Sequence, residues 1–335
     1  MNELRGMNEP RGTNPERPLV SIVIPNWNGL KWLPDCLDSL ARQTLPPDEV
    51  IVVDNGSSDG SLDYLRVEHP GVTVMELGRN TGFAHAVNRG VERARHELVG
   101  LLNTDVVLAD DWLARMSRAL TREPGGGEVA AVAGKMLELD DPRFVYDAGD
   151  VLRRDAVCDQ RGRFGRDDGR WDIPGEVFGA CAGAALYRRA GLRAVGGFDE
   201  RYFAYLEDVD LSLRLRLAGW RCRYEPAVAL HAGEGSSHQL TGAHHYLVQR
   251  NTMLLVGKAF PLRWLPLVAY RQVSWLREAV RERRLLLHLR ASAAGLMLAV
   301  RATGERRALT AGAQVPIEVA IPPSPIRGQP RPAPR

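Results

Sequence analysis

The stretch YFAYLEDVDLSLRLRLAGW, residues 202–220, sets three carboxylates, Glu207, Asp208 and Asp210, at the head of a segment that then alternates leucine with arginine. Leu211, Leu215 and Leu217 with Arg214 and Arg216 have the spacing of an amphipathic helix, and Gly219 stands where helices commonly stop. The acids therefore fall in a first helical turn. A carboxylate held there can act as general base toward a bound hydroxyl. It can equally be a charged cap, favoured by about 0.3–1 kcal/mol near a helix N-terminus, with Asp210 paired to Arg214 for about 0.2–0.5 kcal/mol. What else the chain brings to these acids decides between the two roles.

Other polar residues close a series of apolar runs. VSIVIPNWNG (20–29) is a continuous apolar run ended by Pro25, Asn28 and Gly29, the pattern of a strand buried on both faces of a parallel sheet, and a helix carrying Leu30, Leu33, Leu37 and Leu40 on one face follows. EVIVVDNGSSDGS repeats the strand and runs into a polar turn, with Asp59 placed to cap the next helix. VTVMELGRNTGFAHAVNRGVERA gives strand, glycine loop and helix again, and LVGLLNTDVVL supplies a fourth strand. Alternation of this length predicts an α/β fold with a mostly parallel central sheet flanked by helices, its functional groups at the carboxyl ends of the strands. Asn28, Asp54, Asn80 with Gly82, and Asp105 occupy those positions. Each is also good turn chemistry for backbone reasons alone.

The pattern loosens after about residue 121, through an arginine- and glycine-rich stretch at 153–175 and the small-residue run GACAGAALYRR. From residue 236 onward there are 15 Lys and Arg against 4 Asp and Glu, so the net charge of +3 conceals an acidic body and a basic C-terminal segment. Such a segment suits an anionic partner surface, a membrane in preference to nucleic acid. Cys36, Cys158, Cys181 and Cys222 lack the paired spacing of zinc sites, which predicts reduced thiols in a cytosolic compartment. No leader is expected in the polar residues 1–17, and the longest later apolar stretch, at 293–300, falls short of a membrane span. The prolines of residues 311–335 predict a disordered tail.

VSIVIPNWNG, VIVVDNGSSDGS, GRNTGFAHAVNRG, LLNTDVVL and the segment GGFDERYFAYLEDVDLSLRLRLAGWRCRYEPAVALHAGEGSS, in this order and spacing, resemble bacterial family 2 glycosyltransferases of the GT-A fold, the rhamnosyltransferase-like branch in particular. The resemblance covers about residues 18–260. It implies a nucleotide-diphospho-sugar donor, with Pro25 and Asn28 in the nucleotide loop, Asp54 at base or ribose, and Asn80, Gly82 and Asn88 lining the donor cleft. A glycine loop that opens a helix presents N–H groups to an anion, which agrees. NTD stands at the family's DxD position, with Asn103 replacing the first acid and Asp105 left to hold a divalent ion. His231, where several such enzymes place a histidine, would be its partner ligand for Mn²⁺ or Mg²⁺, unless it is a buried structural histidine. Glu207 and Asp208 match the acidic pair of the acceptor-site helix, with Asp208 as general base and Glu207 orienting the acceptor.

The expectation is thus an inverting glycosyltransferase that moves a sugar, with L-rhamnose from dTDP-rhamnose suggested by the branch, to a glycan or lipid-linked acceptor in cell-envelope polysaccharide synthesis. Residues 18–120 would form the nucleotide-sugar half, 121–240 the acceptor half, and 241–310 a basic helical extension. Trp264 and Trp275 among leucines and arginines in that extension suggest peripheral attachment to the inner face of the cytoplasmic membrane. The rivals are a nucleotidyltransferase, which would carry a basic glycine-rich loop where PNWNGLKWL stands, and an inactive scaffold in a polysaccharide assembly complex.

Overall fold

The computed structural model describes residues 18–121, 129–232 and 241–323. Residues 1–17 and the last prolines fall outside them. The first half alternates as expected: β1 (Val20–Asn26), α1 (Leu33–Ala41), β2 (Glu49–Asp54), α2 (Ser61–Glu68), β3 (Thr73–Glu76), α3 (Phe83–Arg93) and β4 (Leu98–Leu102). Leu30 lies in the turn before α1, while Leu33, Leu37 and Leu40 are fully buried. Asp59 accepts Ser61 N at the start of α2 and also Leu30 N, so one carboxylate fixes two loops.

The fourth run is not one strand. It breaks at Asn103–Asp105, and β5 (Val106–Leu108) crosses to a different neighbour before α4 (Trp112–Thr121). Three successive turn-forming polar residues end β4, while Val106 and Leu108 remain apolar enough to bury. Then come β6 (Val129–Glu138), the short strands β7 (Val145–Asp147), β8 (Asp150–Leu152), β9 (Cys158–Gln160) and β10 (Gly175–Val177), then β11 (Ala184–Arg188), α5 (Arg189–Ala194), α6 (Glu207–Leu217) and β12 (Arg221–His231). The sheet order is β10-β12-β6-β11-β4-β1-β2-β3. In it β3, β2, β1, β4, β6 and β12 point the same way, and β11 and β10 run against them. Their common direction gathers Asn26, Asp54, the Asn103–Asp105 turn and His231 along one carboxyl edge.

One face of the sheet packs on α1 and α4, the other on α3, α5 and α6. α6 is not the surface helix that its leucine and arginine pattern suggests. Leu211 and Leu215 enter the sheet core, while Val209, Leu213 and Leu217 enter a third core shared with α7 (Thr241–Ala259), α8 (Leu265–Arg281) and α10 (Ile317–Ala320). A helix apolar on both sides is a buried one. α9 (Leu285–Ala311) packs along α7, with Gly295 against Arg250 and Met253.

Two expectations about the C-terminal segment are corrected. The disordered tail does not begin at 311: Gln314 N and Val315 N donate to Leu217 O, and Ile317, Ala320 and Ile321 are buried, because these apolar residues between the prolines supply anchors. The apolar segment is also longer than the sequence runs suggested. α9 spans 27 residues and is by length and composition capable of crossing a bilayer, although one face of it packs on α7.

Candidate active site

On the nucleotide side, the β1 and β2 loops are tied together by short polar bonds. Asn26 Nδ2 donates to Asp54 Oδ1 at 2.8 Å, and Gly56 N and Ser57 N donate to Asp54 Oδ2. Ser58 N donates to Asn28 Oδ1 and Asn28 N to Ser57 Oγ, with Asn28 in the left-handed region at φ 53°. Pro25, half-buried, is the penultimate residue of β1, before Asn26 and this loop. Asp54 is buried and organises the turn, so any contact it makes with a nucleotide uses a carboxylate already committed on both oxygens. Asn55, Asn26 and Ser57, which the sequence reading passed over, do as much as the residues it chose: Asn55 Oδ1 accepts Thr81 N, and Asn55 Nδ2 donates to Asn80 Oδ1 and Gly82 O.

The opening of α3 differs from the expected anion cradle. Ala84 N donates to Phe203 O, and a Cβ on Gly82 would stand 2.6 Å from the Phe203 ring. Gly82, at φ +92°, is thus required by the close approach of the 203–206 loop, which covers this helix start. Asn88 does not line the cleft with a spare amide either. Its Nδ2 donates to Phe198 O and Glu200 Oε1, and its Oδ1 accepts Phe198 N, so it fastens α3 to the segment that leads to α6.

At the break after β4 the structure brings Asp105 and His231 together. β5 pairs with β12 in the register His231↔Val106, which sets His231 Nε2 3.6 Å from Asp105 Oδ2. Both are buried, and His231 stacks on Tyr146 with ring centroids 3.9 Å apart. Burial pushes the Asp105 carboxyl up to about 6, and its Oδ1 has no hydrogen-bond partner among the described residues. An orphaned carboxylate oxygen beside an imidazole fits a divalent ion whose other ligands come from a diphosphate and water. Among the described residues no three His, Cys, Asp or Glu gather to hold a metal alone. Asn103 contributes its backbone, donating N–H to Gly183 O at 2.8 Å.

Asp208 is half-buried at the head of α6, where its Oδ1 accepts Val209 N at 2.9 Å and its Oδ2 accepts Ala182 N at 3.3 Å. Burial raises its pKa above the ordinary range, against the hydrogen bonds from Ala182, Val209 and the Cys181 thiol. The turn Cys181-Ala182-Gly183 therefore touches both halves of the site, Asp208 through Ala182 and Cys181, and the Asn103 turn through Gly183. Glu207 is buried, with Oε2 unpartnered among the described residues. Two further acids come from the stretch the sequence left without a role. Asp147 and Asp150, buried on β7 and β8, are close enough to Asp208 that its charge helps to raise both, after burial itself. A Cβ on Gly179 would collide with Ser212 and touch Asp150, which places β8 against the first turns of α6. The doublet Asp147-Ala148-Gly149-Asp150, two acids around a glycine turn, was the signal available in the sequence.

Asp210 belongs elsewhere. It is buried, not a surface partner: Arg214 Nε lies at 2.7 Å, Lys258 Nζ at 2.8 Å, and Tyr202 Oη donates to it at 3.2 Å. Lys258 also reaches Asp199 at 2.6 Å, joining α6 to α7.

The model of the family described as Glycosyl transferase family 2 matches residues 21–196. The chain is 29% identical over 260 residues to an N-acetylglucosaminyl-diphospho-decaprenol L-rhamnosyltransferase of Mycobacterium tuberculosis, covering 68% of this chain and 82% of that one. It is 31% identical over 242 residues to a PGL/p-HBAD biosynthesis glycosyltransferase of Mycobacterium bovis, covering 70% and 82%. Among solved structures it is similar to a mannosyltransferase from Pyrobaculum calidifontis in complex with GDP-Man and Mn²⁺, with TM-score 0.53, 21% identity, and 88% and 86% of the two chains covered. It is also similar to GalNAc-T7 with UDP, GalNAc and Mn²⁺, with TM-score 0.57 and 14% identity over 73% of this chain and about half, 48%, of that one. At these identities the two structures speak to the fold alone, and the fold is GT-A.

Proposed function

Because the chain belongs to glycosyl transferase family 2, and is a glycosyltransferase, we propose that it transfers L-rhamnose from a dTDP donor, with inversion, to a lipid-linked glycan acceptor of the cell envelope. The observation that carries the mechanism is the Cys181–Gly183 turn, which ties a half-buried Asp208 to the Asn103–Asp105 turn. The acceptor oxygen forms its bond to the anomeric carbon as the bond from that carbon to the diphosphate oxygen breaks. Asp208 takes the hydroxyl proton, and burial, by raising its pKa, makes it a stronger proton acceptor than an exposed aspartate. Asp105 and His231 would hold a divalent ion, which supplies positive charge to the leaving diphosphate. Glu207 supports the acceptor side. The acceptor class is favoured by the mycobacterial relative, whose name specifies a diphospho-decaprenol substrate. The place of action is the inner membrane surface, with the protein held peripherally by α8 and α9.

The test has two parts. Purified protein is screened for binding of UDP-, GDP- and dTDP-sugars with and without Mn²⁺ or Mg²⁺, and dTDP-rhamnose is expected to bind in a metal-assisted way. Asp208→Asn should then keep donor binding while turnover falls by about 10²–10⁴. Wild-type turnover in that variant would remove Asp208 from the mechanism, and a chain that binds no sugar nucleotide would be the inactive scaffold.

A further inference from the structure

The loop that delivers the acidic pair is strained, and a residue far along the chain holds it. Phe203, Tyr205 and Leu206 have φ of 66°, 69° and 66°, a left-handed backbone that non-glycine residues adopt only at a cost in strain. Three such residues within four positions persist only if their surroundings over-determine them. The surroundings are α7. Asn251, fully buried, directs Nδ2 at three carbonyls of this one loop: Tyr202 O at 2.9 Å, Ala204 O at 2.8 Å and Tyr205 O at 2.7 Å. Its Oδ1 accepts Arg250 Nε at 2.9 Å, and Arg250 Nη2 returns to Tyr202 O. Only the amide nitrogen can face three carbonyl oxygens, so the orientation of the side chain is fixed by chemistry. Two turns earlier on α7, His244 meets the Tyr205 ring edge-on with centroids 4.7 Å apart.

We infer that Asn251 is a positioning residue for glycosyl transfer: it gathers the 202–206 loop and so sets where Glu207 and Asp208 stand. The loop's other side abuts Gly82 and Ala84 at the opening of α3, so the loop is wedged between the nucleotide half and the helical extension. Asn251 touches no reacting atom. Its effect passes through backbone carbonyls, and a displacement of the base by about 1 Å is enough to cost on the order of 10²-fold in rate.

The inference rests on Asp208 being the base, and its test has one arm that needs no activity. Asn251→Ala removes the donors, and Asn251→Asp, nearly isosteric, sets a carboxylate against the three carbonyls. Thr252→Val, buried next to it with its hydroxyl bonded, among the described residues, only along α7 to Val248 O, is the control for stability. Hydrogen exchange of the amides in 203–208 should rise in both Asn251 variants and not in Thr252→Val. The kcat should fall by about 10–100-fold in Asn251→Ala, the acceptor KM should rise, and the donor Kd should stay within about twofold. Unchanged exchange in the loop of Asn251→Ala overturns the inference, as does a kcat matching that of a Thr252→Val variant of equal Tm. If wild type transfers no sugar from any donor, the proposed function fails, and the exchange arm still decides whether Asn251 holds the loop.

Discussion

Asp147 is buried on β7 with its Oδ1 accepting Gly149 N at 2.7 Å, and its carboxyl is pushed up to about 7, chiefly by burial and further by the Asp208 charge. Arg163 and Arg161 oppose that rise. An unfolded aspartate loses its proton near pH 4, so between about pH 4 and 7 the folded state keeps a proton that the unfolded state has lost. Stability must therefore fall as pH rises through that window. Asp150, Glu207 and Asp208 are shifted in the same direction and add to the slope. Asp147→Asn, neutral throughout, should flatten the decline of Tm with pH between 4.5 and 7.5 without abolishing it. An unchanged slope would mean that Asp147 is ionised in the folded protein. Asp147 and Asp150 escaped the sequence reading because nothing in the spacing of a short irregular stretch says which side of the chain is buried, whereas Asp54, Asp105 and Asp208 end or begin regular elements whose direction is legible.

At the level of elements, the strand and helix alternation through residue 102 was readable, because a parallel strand buried on both faces leaves a continuous apolar run and its helix a periodic one. The departures lie where tertiary pairing overrides local pattern. β5 leaves its run to join β12, and that exchange is what brings Asp105 to His231. α6 looked amphipathic because Arg214 and Arg216 alternate with its leucines, yet Arg214 is buried against Asp210 and donates to Val195 O at 2.6 Å. The worth of that pair changes accordingly. A surface pair would contribute a few tenths of a kcal/mol, about 0.2–0.5, whereas removing one partner of a buried pair costs about 3–5 kcal/mol. Because Lys258 retains Asp199, Asp210→Asn should fall toward the lower end, about 3 kcal/mol by urea denaturation. A loss within about 0.5 kcal/mol would return the pair to the surface class.

Over the whole molecule, exposed apolar surface is unevenly placed. Of nineteen exposed large hydrophobic side chains among the described residues, twelve lie between Leu262 and Val300, on or just before α8 and α9. Arg277, Arg281, Arg283, Arg290 and Arg301 are exposed in the same segment, and Arg283, Arg284 and Arg290 line a depression of about 480 Å³ with Leu285, Leu286 and Leu287 at the turn between the helices. Trp264, first assigned to this face, belongs inside, buried against Phe260, and Arg271 on α8 is bound to Asp155 at 2.7 Å. The remaining combination of leucines and arginines fits an anionic bilayer, with about 1 kcal/mol from each basic residue near the headgroups and insertion of the leucines adding to it. Deleting everything past residue 260 cannot test this, since α7 would lose α9 and the third core would lose α8 and α10. Leu286→Asp with Leu289→Asp alters only exposed positions. The intact chain should float with phosphatidylglycerol vesicles at low salt, and less at high salt, where the Debye length shrinks. The double variant should stay at the bottom while still binding the sugar nucleotide. If the intact chain does not float, the membrane reading fails and the acceptor must be reached some other way; if the double variant splits a dimer in solution and floats unchanged, the face serves a second copy of the chain.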